Sequence, residues 1–207
     1  TNFFLKGFFR TVRGDMYVGI HIAQENRRGK FYKSMPKEGE KMKVLLLGAG
    51  LQGIATALDL AWNKNIDKFT IADYDLKKAQ AVSDLCNRKY GDRSTAVFCD
   101  VNDFDNMVEL FKDFDVVINE VNYYYNCKVM EACLLAKTNY LDIGGLFVET
   151  VKQVKYDQQF RDAGLLAIIG IGGTPGVTNV CAAWAVEQLD TVESIDFFCG
   201  CDDWGQN

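Results

Sequence analysis

A chain of 207 residues, 48% hydrophobic and 25% charged, holds enough apolar material for one sizeable core and part of a second. Residues 1–41 carry nine Lys and Arg against four Asp and Glu (9 − 4 = +5), and residues 42–207 carry 14 against 24 (14 − 24 = −10); so acidic a body excludes nucleic acid as its partner, because phosphate binding needs a basic footprint. No apolar run approaches the roughly 20 residues that cross a bilayer and the N-terminus lacks the zones of a secretory signal, so the expected location is the cytoplasm, with no membrane partner.

In chain order, residues 1–41 come first, with Phe3, Phe4, Phe8 and Phe9 among scattered basic residues and no helical or strand period. They are expected to lie outside the native fold. The codons of Lys37 to Lys41 can spell a purine-rich ribosome-binding site just ahead of an ATG for Met42, which makes Met42 the expected natural start. The competing reading of this leader is a targeting or membrane-surface segment.

From Met42 onward short apolar runs alternate with longer amphipathic stretches, the pattern of an α/β protein with a parallel sheet. Strands are expected at Lys43–Leu47, Lys68–Ala72, Ala96–Cys99, Val116–Asn119, Tyr140–Ile143, Leu165–Ile169 and Ser194–Cys199. Helices are expected at Leu51–Trp62, Leu76–Lys89, Phe104–Phe111, Asn126–Ala136, Val148–Ala163 and Pro175–Leu189, each with apolar residues at three and four spacing. Seven scattered cysteines with no C-x-x-C pair read as reduced, mostly buried thiols, with neither a disulfide framework nor a metal site.

The first strand runs into Gly48-Ala49-Gly50-Leu51-Gln52-Gly53, the spacing G-x-G-x-x-G between strand and helix. Gly48 permits the tight turn, Gly50 lets backbone approach a pyrophosphate, and Gly53 allows helix and strand to pack closely. Asp73 ends the second strand 20 residues after Gly53, where a carboxylate accepts hydrogen bonds from the adenosine ribose. These residues describe a Rossmann dinucleotide-binding domain over residues 42–193, a doubly wound parallel sheet. The negative charges of Asp73 and Asp75 oppose a 2′-phosphate, so NAD is expected over NADP, with Lys77 and Lys78 as the residues that would favour NADP.

In such a sheet ligands lie beyond the carboxyl ends of the strands, which directs attention to three later loops. Glu120 to Asn126 holds three adjacent tyrosines, Tyr123, Tyr124 and Tyr125, whose phenols either meet the nicotinamide and substrate or wedge the loop between helices. Asn126 is also a candidate N-cap. Asp142-Ile143-Gly144-Gly145 follows the fifth strand, and Gly170 to Gly176 places Thr174 as a cap and Pro175 at a helix start, where free N–H groups suit a substrate carboxylate. The one histidine, His21, lies in the leader, so proton transfer falls to Tyr124, Glu120, Asp142, a neighbouring tyrosine, water, or chain beyond Asn207. For Glu120 a raised pKa is expected beside the nicotinamide.

The order of Val44 to Gly53, Ile118-Asn119 to Asn126, Tyr140 to Gly145 and Gly173 to Asn179 resembles the saccharopine dehydrogenase family. The resemblance implies an NAD(P)-dependent dehydrogenase acting on a secondary-amine amino acid, hydride passing between the nicotinamide and the amine-bearing carbon. It places Gly48, Gly50, Gly53 and Asp73 on the cofactor, and Asn119, Tyr124 and Asn126 near the nicotinamide. Asp142, Gly144, Gly145, Pro175 and Gly176 fall around the cleft. The family's usual small residue and proline are replaced here by Glu120 and Asn122. It also implies a second α/β substrate domain, of which residues 194–207 would be the truncated start, and a homodimer for the full-length protein. The competing function, from the missing histidine and second domain, is a non-catalytic NAD(P)-binding or sensing module.

Overall fold

The computed structural model describes residues 41–198. Six parallel strands form one sheet in the order β3-β2-β1-β4-β5-β6. They are β1 (Val44–Leu47), β2 (Phe69–Asp73), β3 (Ser94–Phe98), β4 (Val116–Asn119), β5 (Asn139–Asp142) and β6 (Ala167–Ile168). The chain winds outward from β1 to β3, then returns to β1 and winds the other way through β4. The carboxyl ends of β1 and β4 therefore flank the point where strand order reverses, the crevice in which open α/β sheets bind ligands.

β1 explains the doubly covered sheet at the level of single residues. Its four residues are all apolar and all buried, and successive side chains on a strand point to opposite faces. Val44 and Leu46 join Ala57, Ala61, Ile71, Ala79 and Val82 in one core cluster, under α1 (Leu51–Trp62) and α2 (Leu76–Tyr90). Leu45 and Leu47 join Met107, Phe111, Val117, Val129 and Tyr140 in the other, under α3 (Phe104–Phe111) and α4 (Asn126–Ala136). Each leucine so buried contributes roughly 1.5–3 kcal/mol. A strand with one wet face would alternate, and this one does not.

The register levels the functional ends. Leu47 stands opposite Ala72 on β2 and Asn119 on β4, and Asn119 opposite Asp142 on β5. Gly48, Asp73, Asn119 and Asp142 thus reach the same rim of the sheet.

Several expected boundaries are corrected. The stretch Val148–Ala163 is two helices, α5 (Phe147–Val154) and α6 (Asp157–Ala163), separated at Lys155 and Tyr156. The last helix, α7 (Val177–Val186), begins after Pro175 instead of at it, because Gly176 at φ +127° turns the chain and is its N-cap. Gly176 takes a conformation that side chains rarely allow, so helical geometry cannot start earlier. β6 shrinks to two residues. Over residues 194–198 no strand forms, since a strand needs a ladder partner and none is present among the described residues. The remainder of that expected strand, and the leader to residue 40, lie outside the described residues.

Candidate functional site

The glycine loop is built by exclusion. Gly48 sits at φ +110°, and a β-carbon there would stand 2.9 Å from the backbone carbon and oxygen of Glu120, so the loop can lie against the end of β4 only without a side chain. A β-carbon on Gly53 would stand 2.1 Å from the Gly48 carbonyl oxygen, so α1 reaches this close to β1 only with glycine. Gly50 differs from both. Nothing lies within 4 Å of where its β-carbon would be, and the residue is exposed. No internal contact demands glycine at this position, and the open space is where a ligand's backbone contact would fall.

The N-terminus of α1 is prepared for an anion. Its first helical hydrogen bond runs from Ile54 N–H to Gly50 O at 2.9 Å, which leaves the amides of Leu51, Gln52 and Gly53 outside the helical ladder. Gly50 offers no side-chain cap and no acidic residue stands in the first turn. Free amides together with the positive end of the helix dipole suit a pyrophosphate. Leu51 and Gln52 are exposed beside them, and Ala49 is buried.

Asp73 closes one side of this loop. Its Oδ2 accepts from Ala49 N–H at 2.8 Å and its Oδ1 from Asp75 N–H at 2.8 Å. The carboxylate thus ties the end of β2 to the glycine turn and retains further lone pairs for ribose hydroxyls. Asp75 caps α2 by accepting from Lys77 N–H at 3.0 Å, and Lys78 lies over the exposed Tyr74 ring at 5.9 Å from its centroid. The residues that fit a dinucleotide's adenosine half are together here.

Across the crevice stands Glu120. Its Oε1 accepts a short hydrogen bond from the Thr56 hydroxyl on α1, and its Oε2 is buried with no hydrogen-bond partner among the described residues. Burial raises its pKa above the usual 4.5, the Thr56 hydrogen bond opposing. Thr56 carries no sequence signal that would have paired it with residue 120. Next in the chain, Asn122 accepts from Tyr124 N–H at 3.1 Å and so starts a short 3₁₀ turn over Tyr123–Tyr125. The Tyr123 and Tyr124 rings pack at 4.6 Å between centroids. Tyr123 rests on Gly145, where a β-carbon would come within 2.2 Å of its own. Its phenol pKa is raised by a hydrogen bond with Tyr124 and then by burial. Tyr124 is exposed at the rim and Tyr125 packs against the core.

Asn119, Asn126 and Asp142 do not open onto the crevice. Asn119 Nδ2 donates to Asn126 Oδ1 at 2.9 Å and to the Tyr140 hydroxyl at 3.1 Å, and all three residues are buried. Asn126 is therefore no N-cap; α4 has Tyr125 in that position with no side-chain bond. Asp142 is 0% exposed and accepts four hydrogen bonds. The Tyr140 hydroxyl (2.8 Å) and Gln153 Nε2 (2.6 Å) reach Oδ2, and the amides of Gly144 (2.7 Å) and Gly170 (2.8 Å) reach Oδ1. This enclosed carboxylate fixes the loops after β5 and β6. Gln153, its partner from α5, was not picked out by sequence reasoning, because its helix places valines at helical spacing beside it.

Thr174 is exposed, Pro175 lies with Gly144 and Gly170, and Gly176 is packed under Gly172. Asn179 Oδ1 accepts from Gly176 N–H at 3.0 Å, so the cap of α7 is Gly176 and Asn179 in place of Thr174 and Pro175. A groove of about 740 Å³ is lined by Phe104 of α3, Cys127 and Leu135 of α4, Lys152 of α5 and Tyr156. Among the described residues no helix is long and apolar enough to cross a membrane, and no three His, Cys, Asp or Glu gather as metal ligands.

The family model of the saccharopine dehydrogenase NADP binding domain matches residues 44–168. Among curated proteins, the chain is 32% identical over 174 residues to carboxynorspermidine synthase of Vibrio alginolyticus, covering 75% of this chain and 42% of that one. It is 31% identical over 175 residues to carboxyaminopropylagmatine dehydrogenase of a Synechocystis species, covering 79% and 43%. Apo saccharopine dehydrogenase (L-Glu forming) from Saccharomyces cerevisiae superposes with a TM-score of 0.60 at 26% identity, over 71% of this chain and 31% of that one. The chain thus spans less than half the length of these relatives. The glycine loop, Asp73 and the six-stranded order all fall within the matched span, and the chain belongs to the saccharopine dehydrogenase family, whose NAD(P)-binding domain it carries.

Proposed function

We propose that this chain is the cofactor-binding part of an NAD(P)-dependent dehydrogenase that oxidises or forms a secondary-amine amino acid. The observation that carries the reading is the uncapped N-terminus of α1, with open space at Gly50 and Asp73 fastened beside it. The amides of Leu51, Gln52 and Gly53 would hold the pyrophosphate, and Asp73 the adenosine ribose. Bound in the crevice between β1 and β4, the dinucleotide supplies the hydride donor or acceptor. The names of the relatives support a polyamine-like or amino-acid amine as the substrate class.

Tyr124, exposed beside the crevice, is the side chain best placed to meet substrate or to exchange a proton with it. Glu120 faces α1, so its role lies with the cofactor. Asp142, Asn119 and Asn126 act as positioning residues, holding the Gly144, Gly170 and tyrosine loops in place. NAD is preferred to NADP because the Asp73 carboxylate occupies the side of the loop where a 2′-phosphate would come.

Titration of the chain with NADH and NADPH by fluorescence tests the first part, with tighter NADH binding expected. Absence of binding by both would overturn the reading. The full-length protein is expected to change NADH absorbance with saccharopine, carboxynorspermidine or a related imine. Cofactor binding without turnover on that panel would point to a sensing module instead.

A further inference from the structure

The loop that receives the pyrophosphate in this reading has an acid at its side. Glu120 follows β4 and is anchored there by its own N–H, which donates to Leu47 O at 2.8 Å. Its side chain crosses the crevice to α1. One oxygen meets the Thr56 hydroxyl. The other is buried without a hydrogen-bond partner among the described residues, 3.8 Å from where a β-carbon on Gly53 would be. Gly53 belongs to the first turn whose amides form the anion site. A carboxylate with an unsatisfied buried oxygen is costly, and the cost rises when a second anion arrives in the same low-dielectric crevice.

Among the described residues nothing nearby neutralises it. Residues 48–56 contain no ionisable side chain. Asp59, further along α1, is exposed. From β2 the neighbouring acid is Asp73, turned onto Ala49 and of the same sign. After β4 come Asn122 and three tyrosines, none of them cationic. The direction of its raised pKa agrees, burial being the leading cause and no cation entering.

We infer that Glu120 couples dinucleotide binding to proton uptake, because the neutral carboxyl accepts a pyrophosphate at the N-terminus of α1 and the ionised one opposes it. One proton passes from solvent to the Glu120 carboxylate on binding and returns on release. This rests on the assignment of the cofactor site above.

The test is isothermal titration of the full chain with NADH, in Pipes and in imidazole near pH 7, and then across a range of pH. A difference in heat between buffers of unequal ionisation enthalpy counts the protons taken up. Wild type is expected to take up as much as one proton, and its dissociation constant to rise by up to tenfold per pH unit above the Glu120 titration. In Glu120→Gln the uptake disappears and affinity no longer depends on pH. In Thr56→Val, which removes the hydrogen bond that favours ionisation, the break in the pH profile moves upward. If wild type binds NADH with no proton uptake and a flat profile, or if Glu120→Gln keeps the same uptake, the coupling is wrong while the cofactor site stands. If wild type binds no dinucleotide at any pH, the site assignment and the coupling fall together. Should Glu120→Gln fail to fold, Thr56→Val decides, since a break that stays in place assigns the proton to another group and overturns the coupling.

Discussion

Gly50 and Gly53 belong to one motif and answer to different constraints. A methyl group on Gly53 would meet the Gly48 carbonyl, so Gly53→Ala must push α1 off β1, at a cost of about 1–3 kcal/mol in urea denaturation. Gly50→Ala meets nothing and loses only the preference for glycine at an N-cap, under about 1 kcal/mol, yet it fills the space left for the ligand. Its NADH affinity is expected to fall tenfold or more while its denaturation midpoint stays close to wild type. Equal binding by Gly50→Ala and wild type would remove the pyrophosphate from this loop. Glu120 permits a second separation. Its folded pKa is raised, so the native state holds the proton more tightly than the unfolded chain, and stability falls as pH rises from about 4.5 through the folded titration. Glu120→Gln should therefore raise the thermal midpoint at neutral pH, with the gain vanishing toward pH 4.5. A gain that persists unchanged at low pH would mean that charge is not its source. The glycines and Asp73 were legible in the sequence because their jobs are local. The partner of Glu120 was not, since Thr56 lies 64 residues away and only the sheet brings them together.

At the scale of elements, the buried polar network sets both the face that α5 turns inward and the burial of Asp142. α5 turns Glu149 and Gln153 inward and leaves Val148, Val151 and Val154 exposed, the reverse of a surface helix. Periodicity locates a helix in such a stretch but assigns the wrong face to the core. Gln153 is drawn in by Asp142, and Asp142 by the two glycine amides it holds. An acid followed by Gly-Gly after a strand suggests a cleft residue, yet four donors enclose this one. Asp142→Asn keeps the volume and turns two acceptor positions into donors, which then face N–H or O–H groups. The expected loss is roughly 2–4 kcal/mol, with faster hydrogen exchange at Gly144 and Gly170. Wild-type stability in Asp142→Asn would show that the network is dispensable. The break between α5 and α6 had no proline or glycine to announce it, whereas the glycine at the start of α7 was visible and its backbone angle was not.

For the whole molecule, the alternation of apolar runs and amphipathic stretches was enough to read a doubly wound sheet, because both faces of β1 are covered and its sequence shows it. The far end of the chain follows a different logic. α7 is apolar and has no buried residue; Val180 is 71% and Trp184 65% exposed. A helix of ten residues is marginal in water on its own, and tertiary packing is what ordinarily sustains it. Here the stabilising contacts are few. α7 should consequently open far below the free energy of global unfolding, while the amides of β1 exchange only when the whole sheet opens. Hydrogen exchange followed by mass spectrometry on the 207-residue chain measures both. Replacing Val180 and Trp184 by serine should shift stability by less than about 0.5 kcal/mol and reduce binding of a hydrophobic dye, since most of each side chain stays in water. Protection of Val177–Val186 equal to that of β1 would show instead that this face is covered in solution, and that the chain is held together by more than its own sheet.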